Sequence, residues 1–554
     1  MIRSQWHITG ERRPGSVREV LEILLENRKA DPSFLDGTLK DLESHLSMRG
    51  MDEAAELMAR HLSAGHKLVL VGDYDCDGIT SLAQVSQFFR DIEYKRFEVV
   101  IPSRSEGYGV PERAVFEHPD AELFVTLDCG TLDVKAISMA RSRGADCIVI
   151  DHHEVPDGNL APATVLVNPK HPDCPSAFKE FCSAGLTLLF LARLRKALRN
   201  RFRTPSLGGK YLALAAIGTV ADLVPLVGAN RILARSGLSS INTNVYEPVR
   251  QIADSAGLGG KKITAGHLGF YVGPRINAAG RVADARLAFD LLMAEGTDET
   301  CRLAQELNRY NTKRQQQEDA ILTEIRERFA GTPAGRRTLV MGDAAWPAGV
   351  IGIVASRVQQ EFCYGPVVIF SVDEQAGIAR GSARSVPGFD IHRALHRCGD
   401  LMLRWGGHKM AAGMTLDVRR LPEFAERLEQ VALEQPPEVF VPNGRVDMEL
   451  APDLIRKELL EALKQLEPHG LGNPTPTFAL RDAKVSVRKI FGREQNHARL
   501  HLNAGVEGIF WRGAESCQSL SLDAGSSLDV VFQLEWDDYS GKPVLIVKDM
   551  GKFF

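Results

Sequence analysis

The spacing of hydrophobic residues changes several times along the chain, and each change predicts a different kind of structure. In residues 1–60 the apolar positions recur at helical spacing, as at Val20, Leu21, Leu24 and Leu25, so we predict an N-terminal helical segment. From residue 61 onward, short apolar runs alternate with longer stretches of helical spacing. Strands that alternate with helices are typical of a doubly wound, mostly parallel sheet.

Five apolar runs are the predicted strands of this first α/β domain, which we place at residues 61–290. The runs are residues 67–72, 97–101, 123–127, 147–150 and 165–167. Residues 211–226 are apolar over a longer stretch and predict a buried helix that ends near Pro225.

The second half of the chain predicts three further parts. Residues 291–332 are charged and amphipathic, which indicates a long connecting helix. Residues 333–433 predict a second α/β domain. Its predicted elements are a strand at 338–341, a helix at 349–358 and a strand at 367–370. After a proline-containing linker at 434–442, alternating strands in residues 440–554 predict a small all-β barrel.

The composition narrows the class of protein. A chain of 554 residues is too long for one hydrophobic core. Because the formal net charge is −4, any contact with nucleic acid would come from local patches or from metal ions. Nine scattered cysteines without a CxxC pair argue for reduced thiols rather than disulfides or zinc. Neither a secretory signal nor an apolar run of roughly 18 residues is found, so we expect a cytoplasmic protein without membrane contact.

Acidic residues and histidines follow three of the predicted strands. The first strand leads into Asp73, Asp75 and Asp77, the second into Asp128, and the third into Asp151-His152-His153. The carboxyl ends of parallel strands meet at one edge of a sheet, where crowded carboxylates repel one another unless a cation holds them. Carboxylate and imidazole ligands suit Mn²⁺ or Mg²⁺, and two such ions are a recurring device for phosphodiester cleavage.

Each of these motifs has a structural alternative when it is taken alone. An Asp-x-Asp after a strand also occurs as a helix-capping turn, and adjacent histidines also occur as structural residues. Asp222 lies within the apolar stretch 211–226, where a charge is costly unless it is paired or metal-bound. A buried, hydrogen-bonded Asp222 is the alternative to the metal ligand that we expect. Cys76 lies between two acids, and the alternation of side-chain direction predicts that it faces away from them.

Five motifs in order along the chain resemble one known family. They are DYDCDGIT from Asp73, DHH from Asp151, VADLVP from Val220, GPRINAAGR from Gly273 and GGHKMAAG from Gly406. The DHH triplet resembles the DHH phosphoesterase superfamily, and the combination resembles the RecJ family within it. The resemblance implies a two-lobed DHH phosphoesterase core, whose lobes are joined by a long helix, followed by a C-terminal OB-like β-barrel.

The resemblance also implies the roles of individual residues. Asp75, Asp77, Asp128, His152 and Asp222 would bind two Mn²⁺ or Mg²⁺ ions, with Asp128 between them. Asp73 and His153 would be additional ligands or would support the ligands, and His153 would alternatively contact the scissile phosphate. The catalytic set is then Asp75, Asp77, Asp128, His152, His153 and Asp222, with no other cofactor and with hydroxide as the nucleophile.

Several polar residues are candidates for binding substrate phosphates. In the first domain they are Arg104 and Arg275, and in the second they are Ser382, Arg384 and His408. Arginine suits this role because its planar fork pairs two phosphate oxygens. The alternatives are structural ion pairs for the arginines and, for GGHKMAAG, a tight turn between a helix and a strand. In the barrel, Phe491, Arg493, Phe510, Trp511 and Trp536 are candidates for contact with bases, although several of them must fill the core.

The implied function is a single-strand-specific 5′→3′ exodeoxyribonuclease that releases 5′-mononucleotides in DNA recombination and repair. Single-stranded DNA is the expected partner, followed by single-strand-binding protein and a helicase, and a monomer is the expected state. One rival is a relative that hydrolyses short oligonucleotides, cyclic dinucleotides or polyphosphate, but such relatives lack the barrel. Other rivals are an inactive DNA-binding or scaffold subunit, whose ligand set would have decayed, and a metal-sensing module, which leaves the second lobe unexplained.

Overall fold

The structure is a computed structural model that describes residues 5–10, 12–156, 158–243, 246–329, 335–502, 505–520, 522, 526–537 and 540–553. The chain divides into two compact units. Unit I consists of Arg28–Lys313 and Leu466–Thr475. Unit II consists of Met1–Asn27, Arg314–Gln465 and Pro476–Phe554.

The helices and strands alternate through most of the chain. The helices are α1 Val17–Asn27, α2 Met51–Ala64, α3 Cys76–Asp91, α4 Glu112–Phe116, α5 Val134–Ser142, α6 Ser183–Ala197, α7 Lys210–Ala221, α8 Gly228–Thr243, α9 Glu247–Ser255, α10 Ala265–His267, α11 Gly273–Val282, α12 Arg286–Met293, α13 Thr297–Phe329, α14 Ile351–Glu361, α15 Ile391–Arg397, α16 Leu421–Leu433, α17 Lys457–Leu463 and α18 Ala514–Ser519. The strands are β1 Gln5–Ile8, β2 Leu68–Gly72, β3 Phe97–Val100, β4 Leu123–Leu127, β5 Asp146–Ile150, β6 Val165–Val167, β7 Leu339–Asp343, β8 Val367–Asp373, β9 Ile378–Arg384, β10 Met402–Gly407, β11 Ala411–Asp417, β12 Asn443–Val446, β13 Met448–Glu449, β14 Phe478–Phe491, β15 His497–Leu502, β16 Glu507–Phe510, β17 Ser526–Asp537 and β18 Lys542–Gly551.

Unit I is built on a five-stranded parallel sheet in the order β3-β2-β4-β5-β6. Leu68 and Leu70 of β2 face a core formed with α2, α3, α6 and α7, whereas Val69 and Val71 face a second core formed with α4 and α5. Helices therefore cover both faces of the sheet, which is why β2 and β4 are apolar at every position. The predicted doubly wound sheet is confirmed.

The five strands lie within one residue of their predicted bounds at each end. The predicted helix at 211–226 is wrong at its carboxyl end, because α7 ends at Ala221. Leu223 has a φ of +59°, a left-handed conformation that a helix cannot continue through. Asp222 therefore closes the helix instead of lying inside it.

The N-terminal segment differs from the prediction of a single helical unit over residues 1–60. Gln5–Ile8 forms β1, which pairs in parallel with β12. Trp6 Nε1 donates a hydrogen bond to Asp549 Oδ2 at 2.9 Å, and Asn27 Nδ2 donates to the backbone oxygen of Asp447 at 2.9 Å. Residues up to Asn27 thus belong to unit II, and those from Arg28 belong to unit I. A four-residue strand whose partner lies more than four hundred residues away leaves no local signal.

The long charged segment forms one helix, α13, of 33 residues. Its apolar stripe includes Leu303, Leu307, Ile321 and Ile325, all of which are buried. Its first part, up to Lys313, belongs to unit I and the remainder to unit II. Among the described residues, no helix is both long enough and apolar enough to cross a membrane.

Unit II contains a mixed sheet in the order β10-β11-β9-β8-β7, in which only β7 and β8 run parallel. The two predicted strands are β7 and β8, and the predicted helix is α14. The antiparallel strands β9, β10 and β11 were not predicted, since glycines interrupt their apolar pattern. The segment GGHKMAAG is the hairpin that joins β10 to β11, so the alternative of a turn between a helix and a strand is wrong.

The C-terminal part of unit II is a closed five-stranded barrel. Its strands follow the order β14-β15-β16-β18-β17, and pairing of β14 with β17 closes it. All pairs are antiparallel except β16 with β18, and α18 lies between β16 and β17 in the chain. The predicted OB-like barrel is confirmed.

Candidate metal centre

The first group of acids follows β2, where the chain turns into α3. Asp75 caps α3, because its Oδ1 accepts hydrogen bonds from the backbone N–H groups of Asp77 at 2.9 Å and Gly78 at 3.1 Å. The capping alternative therefore holds for Asp75. It does not exclude metal binding, since Asp73, Asp75 and Asp128 each bring one ligand atom to within 4.8 Å of the others.

Asp77 is buried against the amino end of α6. Its Oδ2 accepts from the Ser183 N–H at 2.7 Å, and its Oδ1 accepts from the Ala184 N–H at 2.9 Å. A Cβ at Gly218 of α7 would lie 2.7 Å from Asp77 Oδ1, so α7 can pack here only because residue 218 is glycine. These contacts fix the Asp77 carboxylate in one orientation.

Asp128 follows β4 and is buried with a φ of +65°. This left-handed conformation is uncommon for a residue other than glycine and is held in place by its surroundings. The backbone oxygen of Asp128 accepts a hydrogen bond from the Tyr108 hydroxyl at 3.1 Å. Such conformations concentrate at functional sites.

His152 brings the acids of the different strands together. Its Nε2 lies 3.3 Å from Asp128 Oδ1, 3.6 Å from Asp222 Oδ2 and 3.8 Å from Asp77 Oδ2. Burial lowers the pKa of His152 to about 3, so the imidazole is neutral at neutral pH, as a metal ligand must be.

The carboxylates of this cluster are electrostatically unfavourable by themselves. Burial, followed by repulsion from Asp75, raises the pKa of Asp73 to about 8 and that of Asp77 to about 6. Burial and neighbouring carboxylates also raise the pKa values of Asp128 and Asp222 well above their ordinary range. A cation is the usual means of keeping such a group ionised.

Three buried atoms in the cluster have no hydrogen-bond partner among the described residues. They are Asp73 Oδ1, Asp128 Oδ1 and His152 Nε2. Buried polar atoms are normally hydrogen-bonded, and an exception calls for an explanation such as a bound ion. Three groups of possible ligands share these residues, namely Asp77-His152-Asp222, Asp73-Asp75-Asp128 and Asp128-His152-His153. Hard oxygen ligands with one imidazole in the first group fit Mn²⁺ or Mg²⁺.

Comparison with known proteins agrees with this geometry. The family model of the DHH family, N-terminal domain, matches residues 67–219, that of the DHHA1 domain matches residues 335–434, and that of the RecJ OB domain matches residues 446–549. "Single-stranded-DNA-specific exonuclease RecJ" of Dickeya dadantii is 33% identical over 496 residues, which cover 86% of this chain and 84% of that protein. The chain belongs to the RecJ family.

Other members of the RecJ family give similar values. The Escherichia coli protein of the same name is 33% identical over 80% of this chain and 80% of its own length. The Bacillus subtilis protein is 32% identical over 93% of this chain, which spans only 65% of that longer protein. The crystal structure of RecJ from Thermus thermophilus in complex with Mn²⁺ is similar over 99% of this chain and 79% of that one, with a TM-score of 0.83 and 29% identity.

The second histidine of the DHH triplet, His153, is held by two neighbours. Its Nδ1 lies 2.8 Å from Asp151 Oδ1 and 2.8 Å from the Tyr108 hydroxyl. Burial by itself lowers the pKa of His153, but the hydrogen bond and the charge of Asp151 raise it above its ordinary value. Since Nδ1 faces Asp151, the proton on that nitrogen is fixed there and Nε2 is the atom left for other contacts.

Asp151 and Tyr108 are site residues of this RecJ-family chain that the sequence analysis did not assign. Asp151 also accepts from the backbone N–H groups of His152 at 2.8 Å and Thr131 at 3.1 Å. Burial raises its pKa, but the hydrogen bond and the charge of His153 hold it below its ordinary value. Asp151 therefore orients the histidines as an anion. Asp151 could have been identified from the sequence because it is the first residue of the DHH triplet. Tyr108 could have been identified because it lies four residues after Arg104.

Each of the two arginine candidates of unit I donates a hydrogen bond to a neutral group. Arg104 Nε donates to the Gly280 backbone oxygen at 3.1 Å, and its guanidinium lies 4.4 Å from the centre of the Tyr74 ring. Arg275 Nε donates to Asn308 Oδ1 at 3.1 Å. Both thereby connect the motif GPRINAAGR to its surroundings.

Two of the candidates of unit II, Ser382 and Arg384, lie together. Arg384 Nη1 donates to Ser382 Oγ at 3.1 Å, and Arg384 Nε donates to Ser356 Oγ of α14 at 3.0 Å. A Cβ at Gly352, in the first turn of α14, would lie 3.0 Å from both Arg384 Nη2 and Ser382 Oγ. An arginine beside the first turn of a helix suits an anion. His408 lies in the exposed β10–β11 hairpin, and its N–H donates to the Ala411 oxygen at 2.8 Å.

Proposed function

We propose that this chain is a single-stranded-DNA-specific 5′→3′ exonuclease that hydrolyses phosphodiester bonds with two bound Mn²⁺ or Mg²⁺ ions. The observation that carries the proposal is that Asp128 and Asp222 converge on His152. His152 Nε2 lies 3.3 Å from Asp128 Oδ1 and 3.6 Å from Asp222 Oδ2. The names of the relatives, single-stranded-DNA-specific exonucleases, supply the substrate class.

Two groups of residues would hold the ions. One ion would bind Asp77, His152 and Asp222, the other would bind Asp73 and Asp75, and Asp128 would contact both. When bound, the ions would activate water and stabilise charge on the scissile phosphate. The hydrogen bonds from α6 to Asp77 and from the α3 turn to Asp75 fix the ligands before the ions arrive, which reduces the cost of binding.

We assign a substrate contact to His153. Its Nδ1–H is held by Asp151 at 2.8 Å, so its Nε2 would donate to an oxygen of the scissile phosphate when the ring is protonated. The pKa of His153 is raised because its hydrogen bond to the Asp151 carboxylate outweighs burial, and this increases the protonated fraction near neutral pH. His153 would thus support the departure of the leaving oxygen without binding metal.

The direction of digestion would come from recognition of the 5′ end. We assign Ser382 and Arg384 to a terminal phosphate, and Arg104, Arg275 and His408 to phosphates of the strand. A terminal monoester carries about 1.5 to 2 negative charges near neutral pH, whereas an internal diester carries one. A guanidinium beside a helix amino end therefore favours the terminal phosphate. With the terminal phosphate bound, each hydrolysis would release one 5′-mononucleotide.

The barrel would bind the rest of the strand. Phe510 is buried and fills the barrel core. Trp511 is exposed, and its ring centre lies 5.7 Å from that of Phe491 and 5.0 Å from that of His497. We therefore propose Trp511 and Phe491 as the surface on which bases stack, because stacking on aromatic rings is how OB-folds bind single strands.

The same residues argue against the alternative functions. An inactive scaffold would not retain every carboxylate and both histidines, and a hydrolase of short or cyclic nucleotides has no use for a barrel with an exposed aromatic surface. A role in recombination and repair, a monomeric state, a cytoplasmic location, and single-strand-binding protein and a helicase as partners stay predictions.

Substrate competition tests the proposal. The intact protein with Mn²⁺ would be given a long single strand, the same strand as a blunt duplex, and a cyclic dinucleotide. We expect 5′-mononucleotides from the single strand and slow or no release from the others. Faster hydrolysis of the cyclic dinucleotide than of the single strand would contradict the proposal.

A further inference from the structure

An aromatic side chain in unit I is exposed where the chain has no evident structural need for it. Phe270 exposes 81% of its surface, although its neighbours in the same turn, Leu268 and Val272, are fully buried. The turn, Leu268–Val272, is π-helical and lies between α10 and α11. Single π-helical turns occur frequently at functional sites. The turn is thus anchored on its buried side and presents Phe270 to solvent.

The π-helical turn packs against the last residues of α7. A Cβ at Gly269 would lie 3.6 Å from Val220 Cγ1, and a Cβ at Gly273 would lie 3.0 Å from Ala221 Cβ. The next residue in the chain is Asp222, whose Oδ2 lies 3.6 Å from His152 Nε2. Phe270 is therefore carried by a turn that contacts the residues immediately before a ligand of the proposed metal centre.

A second contact fixes this turn relative to the other acids. Arg275 Nη1 donates to the backbone oxygen of Tyr271 at 2.9 Å, which ties the turn to α11. Two residues further on, Asn277 Oδ1 accepts from the Cys76 N–H at 2.7 Å, between Asp75 and Asp77. The position of Phe270 is thus coupled to both sides of the acidic cluster.

Leu223 is a second exposed apolar residue next to the acidic cluster. It follows Asp222 directly and exposes 69% of its surface at a φ of +59°. Exposed apolar groups next to a charged site indicate contact with a ligand that has both charged and apolar parts. A nucleotide has a phosphate for the metal centre and a base with an apolar face.

We propose that Phe270 stacks against a base of the bound single strand next to the scissile phosphate. This inference rests on the proposed exonuclease function. In a duplex, both faces of every internal base are covered by its neighbours, so an internal base can make the contact only in an unpaired strand. Phe270 would accordingly contribute to single-strand specificity as well as to affinity.

The test is a scan with abasic substrates. In an Asp128→Ala background, intended to block hydrolysis, affinity would be measured for 5′-phosphorylated single strands that each lack one base, with the gap moved along the strand. We expect the gap to cost about 5- to 100-fold in affinity at one or two adjacent positions near the 5′ end, the usual cost of a lost stacking contact. Adding Phe270→Ala should reduce the affinity for the intact strand by a similar factor. In that variant, a missing base at those positions should cause no further loss of affinity.

Two variants serve as controls. Phe270→Trp should retain both the affinity and the position-dependent cost, because the larger ring still stacks. Phe116→Ala removes another exposed aromatic residue of unit I, on α4, and should change neither. Two results would contradict the stacking contact alone. One is normal binding with an affinity that does not depend on the position of the missing base, and the other is an equal loss of affinity with and without Phe270. Failure of every protein to bind any single strand would overturn the proposed function and this inference together.

Discussion

His152 Nε2 lies 3.3 Å from Asp128 Oδ1, and neither atom has a hydrogen-bond partner among the residues that the structure describes. The lowered pKa of His152, which results mainly from burial, keeps Nε2 unprotonated at neutral pH. Two hydrogen-bond acceptors that face each other in a buried site are unfavourable unless a cation lies within reach of both. This pair is therefore the most direct structural sign of a metal centre in the part of the chain that the structure describes.

The metal-free protein should become less stable as the pH rises from about 6.5 to 8. Burial and Asp75 raise the pKa of Asp73 to about 8. A carboxyl group with a higher pKa in the folded state holds a proton that the unfolded chain has lost, so raising the pH through this range lowers the free energy of unfolding. Saturating Mn²⁺ should offset the loss, since metal binding replaces the protons.

The measurement is the Tm in EDTA and in Mn²⁺ at both ends of that range. The increase in Tm caused by Mn²⁺ should be larger at the higher pH. Asp73→Asn, which removes one titrating group, should reduce the dependence on pH in EDTA. A metal-induced shift that is equal at the two pH values would contradict the assignment of these carboxylates to the metal centre.

Asp151→Asn should reduce kcat about 10- to 100-fold, the usual effect of removing a group that orients ligands. An amide lacks the charge that holds the Nδ1–H of His153, so the ring would lose its fixed orientation. Metal content at saturating Mn²⁺ should stay near that of the wild type, because Asp151 is not among the proposed ligands. Steady-state kinetics together with metal analysis distinguishes a loss of kcat from a loss of metal. An unchanged kcat would contradict the orienting role of Asp151.

Arg384→Ala should reduce the preference for a 5′-phosphate. Wild-type protein should digest 5′-phosphorylated single strands faster than 5′-hydroxyl strands, and the variant should lose about 10-fold or more of that difference, as expected for one charge-assisted contact. Its Mn²⁺ affinity should be unchanged. A covalent block at the 5′ end should stop the wild type and one at the 3′ end should not. Full-rate digestion of a 5′-blocked strand would contradict the direction that we propose.

Much of the metal centre could be predicted because a parallel sheet imposes it. The residues after β2, β4 and β5 had to meet at one edge, so Asp77, Asp128 and His152 could be grouped from the sequence alone. The strand bounds were equally accessible, since strands covered on both faces are apolar throughout. Asp222 was found through the cost of a charge in an apolar segment, although the helix that carries it ends earlier than predicted.

The remaining features depend on contacts between distant parts of the chain. The pairing of β1 with β12, the hydrogen bonds that Tyr108 makes with Asp128 and His153, and the packing of the Phe270 turn on α7 leave no periodic pattern. The division of the aromatic candidates into core and surface is of the same kind, because Phe510 and Trp511 are adjacent in sequence and alternate across one strand end. Tertiary packing decides each of these, and local sequence does not encode it.

The central claim is that Asp128 would help to hold both metal ions of a centre that hydrolyses single-stranded DNA. Its most direct test is the Mn²⁺-dependent release of 5′-mononucleotides from a long 5′-phosphorylated single strand by Asp128→Ala, compared with the wild type at equal single-strand binding. We expect the rate to fall by about a thousandfold or more, because removing a shared ligand disables both ions. A rate within about tenfold of the wild type, with ordinary metal content, would contradict the account.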